Sequence, residues 1–340
     1  LFSKMSSSSF SSGRFFTALF LVISAVPIAY IVSLERAVPS THVFSYHSSG
    51  FLRECAKWDA VGRRFLVSYM DGGGIGEVVP RDSDGGDDNS HVMEEVTLVK
   101  DVDLGGNASA GIVIDRDRNR LLVAVGDLVG NHYSALAAYD LSTWRRIFLT
   151  ELSVDHSKEF TFADDVAFDA EGNSYVTDAR GNKIWKVDVN GKLVYTLKSP
   201  LFTPPGWFNN LVSLNGIVYH PDGFLIVIHT FSGLLYKIDL TDGEISNDKV
   251  SLIKVTNGTL RFGDGLEFLS PTKIVVAGNP YAKLVESSDG WQTASVTGWF
   301  GSGMYHRLIS AATVKEGRVY LTHVVGFGSK KRHILVEAVF

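Results

Sequence analysis

From residue 40 onward, short runs of Val, Ile, Leu, Phe and Tyr alternate with turns of Gly, Asp and Asn. No stretch shows the period of an amphipathic helix. This is the pattern of an all-β chain. The runs recur in register. "AKWDAVGRRFLVS" (56–68) resembles "IVIDRDRNRLLVA" (112–124), and "VAFDAEGNSYVTD" (166–178) follows. Then come "IVYHPDGFLIVIH" (217–229), "LEFLSPTKIVVAG" (266–278) and "ATVKEGRVYLTH" (312–323). Each reads as strand, turn, strand. The last residues of the first strands align as Asp59, Asp115, Asp169, His220, Leu269 and Lys315, in steps of 56, 54, 51, 49 and 46 residues.

Six units of this length suit four-stranded blades around a central axis, so residues 35–340 are expected to form a six-bladed β-propeller. The sixth unit runs short. After "GRVYLTH" only "RHILVEAVF" (332–340) remains, while "THVFSYH" (41–47) is a strand with no unit of its own. Pairing of 41–47 with 332–340 would close the ring and remove open sheet edges.

The residue five positions upstream of each aligned strand end begins an innermost strand. That column reads Glu54, Ala110, Asp164, Asn215, Asp264 and Ser310. Innermost strands line the channel, so Glu54, Asp164, Asn215 and Asp264 should converge at one mouth. Three carboxylates and an amide are hard oxygen donors, suited to calcium rather than zinc. Without a cation they would repel, and some would take up protons. Asp165 is expected to orient Asp164. The competing reading is that Asn215-Gly216 and Asp264-Gly265 are ordinary turn dipeptides.

The stretches "ECAKWD", "ADDVAFDAEGNSYVTD", "NGIVYHPDG" and "DGLEF" resemble the senescence marker protein/gluconolactonase family of calcium-dependent propellers, over about residues 43–340. Its wider relatives are the diisopropylfluorophosphatase, paraoxonase and strictosidine synthase groups. The resemblance implies one catalytic calcium held by Glu54, Asp164, Asn215 and Asp264, with Asp264 as catalytic residue. Asp164 departs from the family, where Asn is usual; the extra negative charge implies tighter binding and a weaker Lewis acid. Sugar-lactone members carry an Arg where this chain has Phe162. With Trp207 and Phe208 nearby, that favours a small-molecule substrate less polar than a sugar acid, although packing between blades explains these aromatics equally well.

Other candidates carry less. His229 and His323 end second strands, and Tyr305 and His306 lie just upstream of Ser310. Each is a candidate base or pocket residue. Cys55 is expected to face away from the channel. "DGGGIG" (71–76) lacks the following helix of a phosphate loop. The net charge of -5, with no basic stripe, gives no reason to expect a nucleic-acid partner.

The N-terminus differs from the rest. Phe15–Leu34 is an uncharged run of twenty residues, preceded by Lys4 and Arg14 and followed by Glu35. It reads as a signal peptide or a single membrane-spanning signal-anchor (residues 1–34), with an organelle transit peptide as a weaker third reading. Either of the first two sends the propeller into the secretory pathway, as a secreted or membrane-anchored protein. Asn107 and Asn257 head glycosylation sequons there. The function expected is hydrolysis of a lactone, ester or phosphotriester, with Asp264 or an activated water attacking. The alternatives are a strictosidine-synthase-like lyase, against which Ser310 counts because that reading needs an acid in the sixth unit, and a non-enzymatic binding propeller.

Overall fold

The computed structural model describes residues 12–36, 39–80, 92–153, 159–240 and 245–340. The chain is mostly β. Consecutive strands pair antiparallel into successive units. Arg53–Asp59, Arg64–Tyr69, Ile75–Val78 and Val96–Val99 form the first. Innermost strands of the next four units are Ala108–Asp115, Ala163–Phe168, Leu214–His220 and Gly263–Ser270. The last unit runs Ile309–Lys315, Arg318–His323, Arg332–Ala338 and then back to Val43–His47.

Burial explains why the apolar runs are continuous in some strands and alternating in others. Second strands such as Arg120–Gly126 and Phe224–His229 are buried along their whole length, between sheets on both faces. Outer strands such as Leu193–Lys198 are mostly exposed and tolerate polar residues. The sheets meet through apolar clusters. Leu66 and Ile75 of the first unit pack with Ile112 and Val123 of the second. Phe65 and Val67 of the first pack with Tyr320 and Leu335 of the last. The aligned residues at the first-strand ends fasten the turns. Asp59 accepts from the Gly62 N–H at 3.0 Å, Asp169 from Asn173 at 2.8 Å, and His220 Nδ1 from Asp222 at 3.0 Å.

Val43–His47 pairs antiparallel with Arg332–Ala338, with Val43 opposite Val336 and His47 opposite Arg332. The expected pairing of N- and C-terminal strands is present. Two further pairings have no sequence cue. Val92–Glu94 adds parallel to Val43–His47, and Val250–Thr256 pairs parallel with Thr293–Phe300, merging two units into an eight-stranded sheet. Each covers an outer edge that would otherwise stay open.

Ser12–Arg36 is one helix, with Pro27 inside it. Among the described residues no helix is long and apolar enough to cross a membrane, so the expected membrane-spanning segment finds no support there. The side chains of residues 12–15, 17–19 and 21–22, part of the apolar run, lie outside the description.

Candidate functional site: a ring of carboxylates at the strand bulges

In each unit the ladder between first and second strand slips by one residue near the channel mouth. The slips fall between Arg53 and Ala56, Ser109 and Ile112, and Ala163 and Val166. They recur between Leu214 and Ile217, Gly263 and Leu266, and Ile309 and Ala311. The column Glu54, Ala110, Asp164, Asn215, Asp264 and Ser310 lies inside these gaps. A bulge takes a residue out of the ladder and re-aims its side chain. That is why two acids stand side by side at 164–165 where an apolar strand begins.

Hydroxyls satisfy the freed backbone. Ser68 Oγ accepts from the Cys55 N–H at 3.0 Å, and Thr177 Oγ1 from Asp165 at 3.1 Å. Thr177 also donates to the Asn215 carbonyl at 2.7 Å, and Ser310 Oγ donates to the Glu54 carbonyl. Glycines then let adjacent inner strands close on the axis. A Cβ on Gly216 would collide with the Asp264 carbonyl and lie 2.7 Å from the Leu266 nitrogen. On Gly265 it would lie 2.7 Å from the Ser310 carbonyl.

Glu54, Asp164, Asn215 and Asp264 line a common cavity of about 10 Å³, with Cys55, Asp165 and Ser310. That is room for about one water-sized particle. Burial, and then Asp165, push Glu54 up to about 7. Asp164 and Asp264 are raised well above the usual carboxylate range, both by burial first and then by Glu54, with Asp165 adding to Asp164 and with Asp164 and Asp165 adding to Asp264. Asn215 donates a side-chain hydrogen bond to Asp264 that works the other way. Asp165 is anchored differently. Its carboxylate accepts from the N–H groups of Val166 (2.9 Å) and Ile217 (3.2 Å), and it faces Lys57. Burial still pushes it up to about 6. Lys57 is committed to Glu267 and to the Ala312 carbonyl at 3.1 Å, so it does not neutralise the ring. Among the described residues no group of three or more His, Cys, Asp or Glu is arranged so as to hold a metal ion as it stands.

Further along the channel a cavity of about 250 Å³ is lined by Lys57, Asp165, Glu267, Phe168, Tyr219 and Phe268. At the mouth side Phe162 is buried with Met70, Ala110 and Val212, and its ring abuts Gly126. Trp207 is 78% exposed on the mouth loop, beside Phe208. His229 and His323 are buried in their units and pushed down, to about 4 and about 3. His323 bonds Ser302 at 2.8 Å. His306 pairs with Glu35. None of the three histidines lines either cavity. Cys55 is buried against the next unit, and its thiol is pushed up to about 12 by that burial. Asn257 is exposed and Asn107 half-buried, both in mouth loops.

Lys57 and Glu267 were missed from the sequence, yet the same alignment finds them. Both stand three residues after the carboxylate column. The Glu35–Arg307 pair has no such signal, because it joins distant segments.

No family model and no curated protein matches the chain. Solved structures do. Mala s 1, the major allergen of Malassezia sympodialis, superimposes with a TM-score of 0.69 at 17% identity, over 89% of this chain and 97% of that one. A luciferin-regenerating enzyme does so at 0.55 and 12%, over 88% and 96%. A catalytically inactive virginiamycin B lyase from Staphylococcus aureus, with quinupristin, does so at 0.53 and 11%, over 86% and 82%. The fold is propeller-like. At these identities the likeness speaks for architecture alone.

Proposed function

We propose that the chain is a six-bladed propeller closed by Val43–His47, holding one calcium ion at its channel mouth and hydrolysing a lactone, ester or phosphotriester. One observation carries the reading: Glu54, Asp164 and Asp264 are enclosed together at the inner-strand bulges, with their protons held by burial and mutual repulsion. Nothing in folding alone rewards such a cluster. It costs stability unless a cation neutralises it. The donor set is all oxygen, and the cavity between the donors takes one particle. The carboxylates are not gathered into a ready metal group.

Calcium would supply Lewis acidity toward a carbonyl or phosphoryl oxygen. The chain's own residues do the rest. Asn215 holds Asp264 by a side-chain hydrogen bond. Asp264 is the proposed attacking carboxylate, or the base for an attacking water. Met70, Phe162 and Val212 give the mouth an apolar wall, which suits a substrate less polar than a sugar acid. Ser310 is bonded to the Glu54 carbonyl and offers no acid in the last unit, which disfavours the lyase reading. A binding propeller without catalysis would have no use for the buried charge. The proposed route is secretory, with the N-terminal helix as signal or anchor. Turnover of an aryl ester or aryl lactone, with and without chelator, tests the chemistry; chelator-insensitive turnover would reject it.

A further inference from the structure

The channel mouth carries apolar residues that the carboxylate site does not require. All four exposed phenylalanines among described residues 39–340 are on loops of this face: Phe51, Phe160, Phe208 and Phe262. Trp207 and Tyr305 stand with them, 78% and 42% exposed. The patch is built. Asn209 and Asn210 donate to the carbonyls of Pro205 (2.6 Å), Pro204 (2.8 Å) and Gly206 (2.9 Å), which fixes the Trp207–Phe208 turn outward. Ring contacts then run from Trp207 to Phe208 (5.9 Å), to Phe231 (5.1 Å) and to Phe262 (5.4 Å), across two units. Cations stand over the outlying rings, Arg180 over Phe160 and Lys331 over Phe51.

The helix Ser12–Arg36 ends on the same face. Glu35 takes two hydrogen bonds from Arg307, each 2.6 Å, and one from His306. Arg307 is fully buried and also donates to the carbonyls of Val325 (2.9 Å) and Arg332 (2.7 Å). A two-point, charge-assisted pair with one partner buried is a firm joint. It seats the end of the uncharged run Phe15–Leu34 beside the aromatic rim.

We infer that the channel mouth is a lipid-facing surface, applied to the bilayer that receives the N-terminal helix. Aromatic rings with Arg and Lys among them are the composition of a membrane–water interface, where the ring enters the acyl boundary and the cation stays at the headgroups. An apolar patch of this extent facing water would be an aggregation liability. The clamp supplies the address: whatever lipid takes up the helix lies against this face and not the opposite one. The inference rests on the uncharged run Phe15–Leu34 of the sequence entering lipid, and not on the calcium site, so either can fail alone.

The test is tryptophan quenching by lipid. The full chain is reconstituted in phosphatidylcholine vesicles with a minority of phosphatidylglycerol, the phosphatidylcholine chains brominated or not. The chain has six tryptophans, none in the helix. The emission lost in Trp207→Phe reports Trp207. The emission lost in Trp144→Phe reports a half-buried ring in the turn between Ser134–Asp140 and Arg146–Glu151, on the face opposite the mouth, because Asp140 pairs with Arg120 and Arg120 with Asp115 at the far end of the inner strand. Brominated chains are expected to extinguish most of the Trp207 component and leave the Trp144 component unchanged. A Trp207 component untouched by bromine, as for a rim that receives a soluble protein or only substrate, would overturn the inference. So would equal quenching of both rings.

Discussion

The Ser310 hydroxyl donates to the backbone carbonyl of Glu54, across the seam where the last unit meets the first. One end of that bond is a column position with no charge; the other is the backbone of a proposed ligand. Ring closure and ligand placement therefore share a contact. Ser310→Ala should cost about 1 kcal/mol, the net worth of one hydrogen bond. It should leave calcium affinity nearly intact, because no donor to the ion is removed. Thermal melts and calcium titration of the variant check both. A large loss of affinity would make Ser310 part of the ion's site.

The inner-strand glycines make a steric prediction. A methyl at Gly216 would strike the Asp264 carbonyl, backbone that cannot swing aside. Gly216→Ala should destabilise by about 1–3 kcal/mol, the cost of overpacking. Gly290→Ala meets nothing within 4 Å, although its φ of +70° adds its own strain. If it proves the more harmful of the two, the close approach of inner strands at the axis is not what the chain depends on.

Much of this arrangement was legible in the sequence. The strand ends at Asp59, Asp115 and His220 could be placed because an accepting side chain, Asp or His, fastens each turn. The column could be read because the bulges repeat at the same step in every unit. The bulges themselves were not legible, since alternation of apolar residues looks the same on either side of one extra residue. Glycine after Ala110, Asn215 and Asp264 was the available clue. Asp165 was expected to orient Asp164; its carboxylate accepts from the N–H groups of Val166 and Ile217, contacts that the sequence pattern did not show. The parallel pairing of Lys254–Thr256 with Thr293–Ser295 spans three residues and leaves no pattern.

Protonation sets opposite slopes on stability. Glu54, raised from 4.5 to about 7, holds more protons folded than unfolded between those values. Metal-free stability should therefore fall as pH rises through that window. His323 and His333, lowered from 6.5 to about 3 and about 4, hold fewer protons folded. They remove stability as pH falls below 6.5. Asp165, raised to about 6, and Asp164 and Asp264, raised well above 3.8, add to the fall, so chelated protein should lose stability from mildly acid pH upward. The added stability from calcium should grow toward higher pH as protons cease to compete. Glu54→Gln should flatten the alkaline fall. Melts across this range, with and without chelator, check it, and a chelated protein steadily more stable from acid to neutral and beyond would contradict it.

Exposure predicts which sequon is used. Asn257 is exposed at a loop tip, whereas Asn107 is half-buried against its neighbours. In chain passed through the secretory route, glycosidase should shift gel mobility in Asn107→Gln and not in Asn257→Gln. The reverse pattern, or no shift in the unmutated chain, would place the mouth loops out of reach of that modification.

The central claim is that Glu54, Asp164, Asn215 and Asp264 hold one calcium ion, and calorimetric titration of calcium into the full chain and into Asp264→Ala tests it most directly. The wild-type chain should bind a single ion with release of protons, because carboxylates held protonated by burial must ionise to bind it. At a hundredfold excess over the dissociation constant, bound calcium should add about 2.7 kcal/mol to stability. Asp264→Ala loses a donor and a full negative charge, and should bind no calcium in the same range. Equal affinity in the two chains, or no heat in either, would contradict the account.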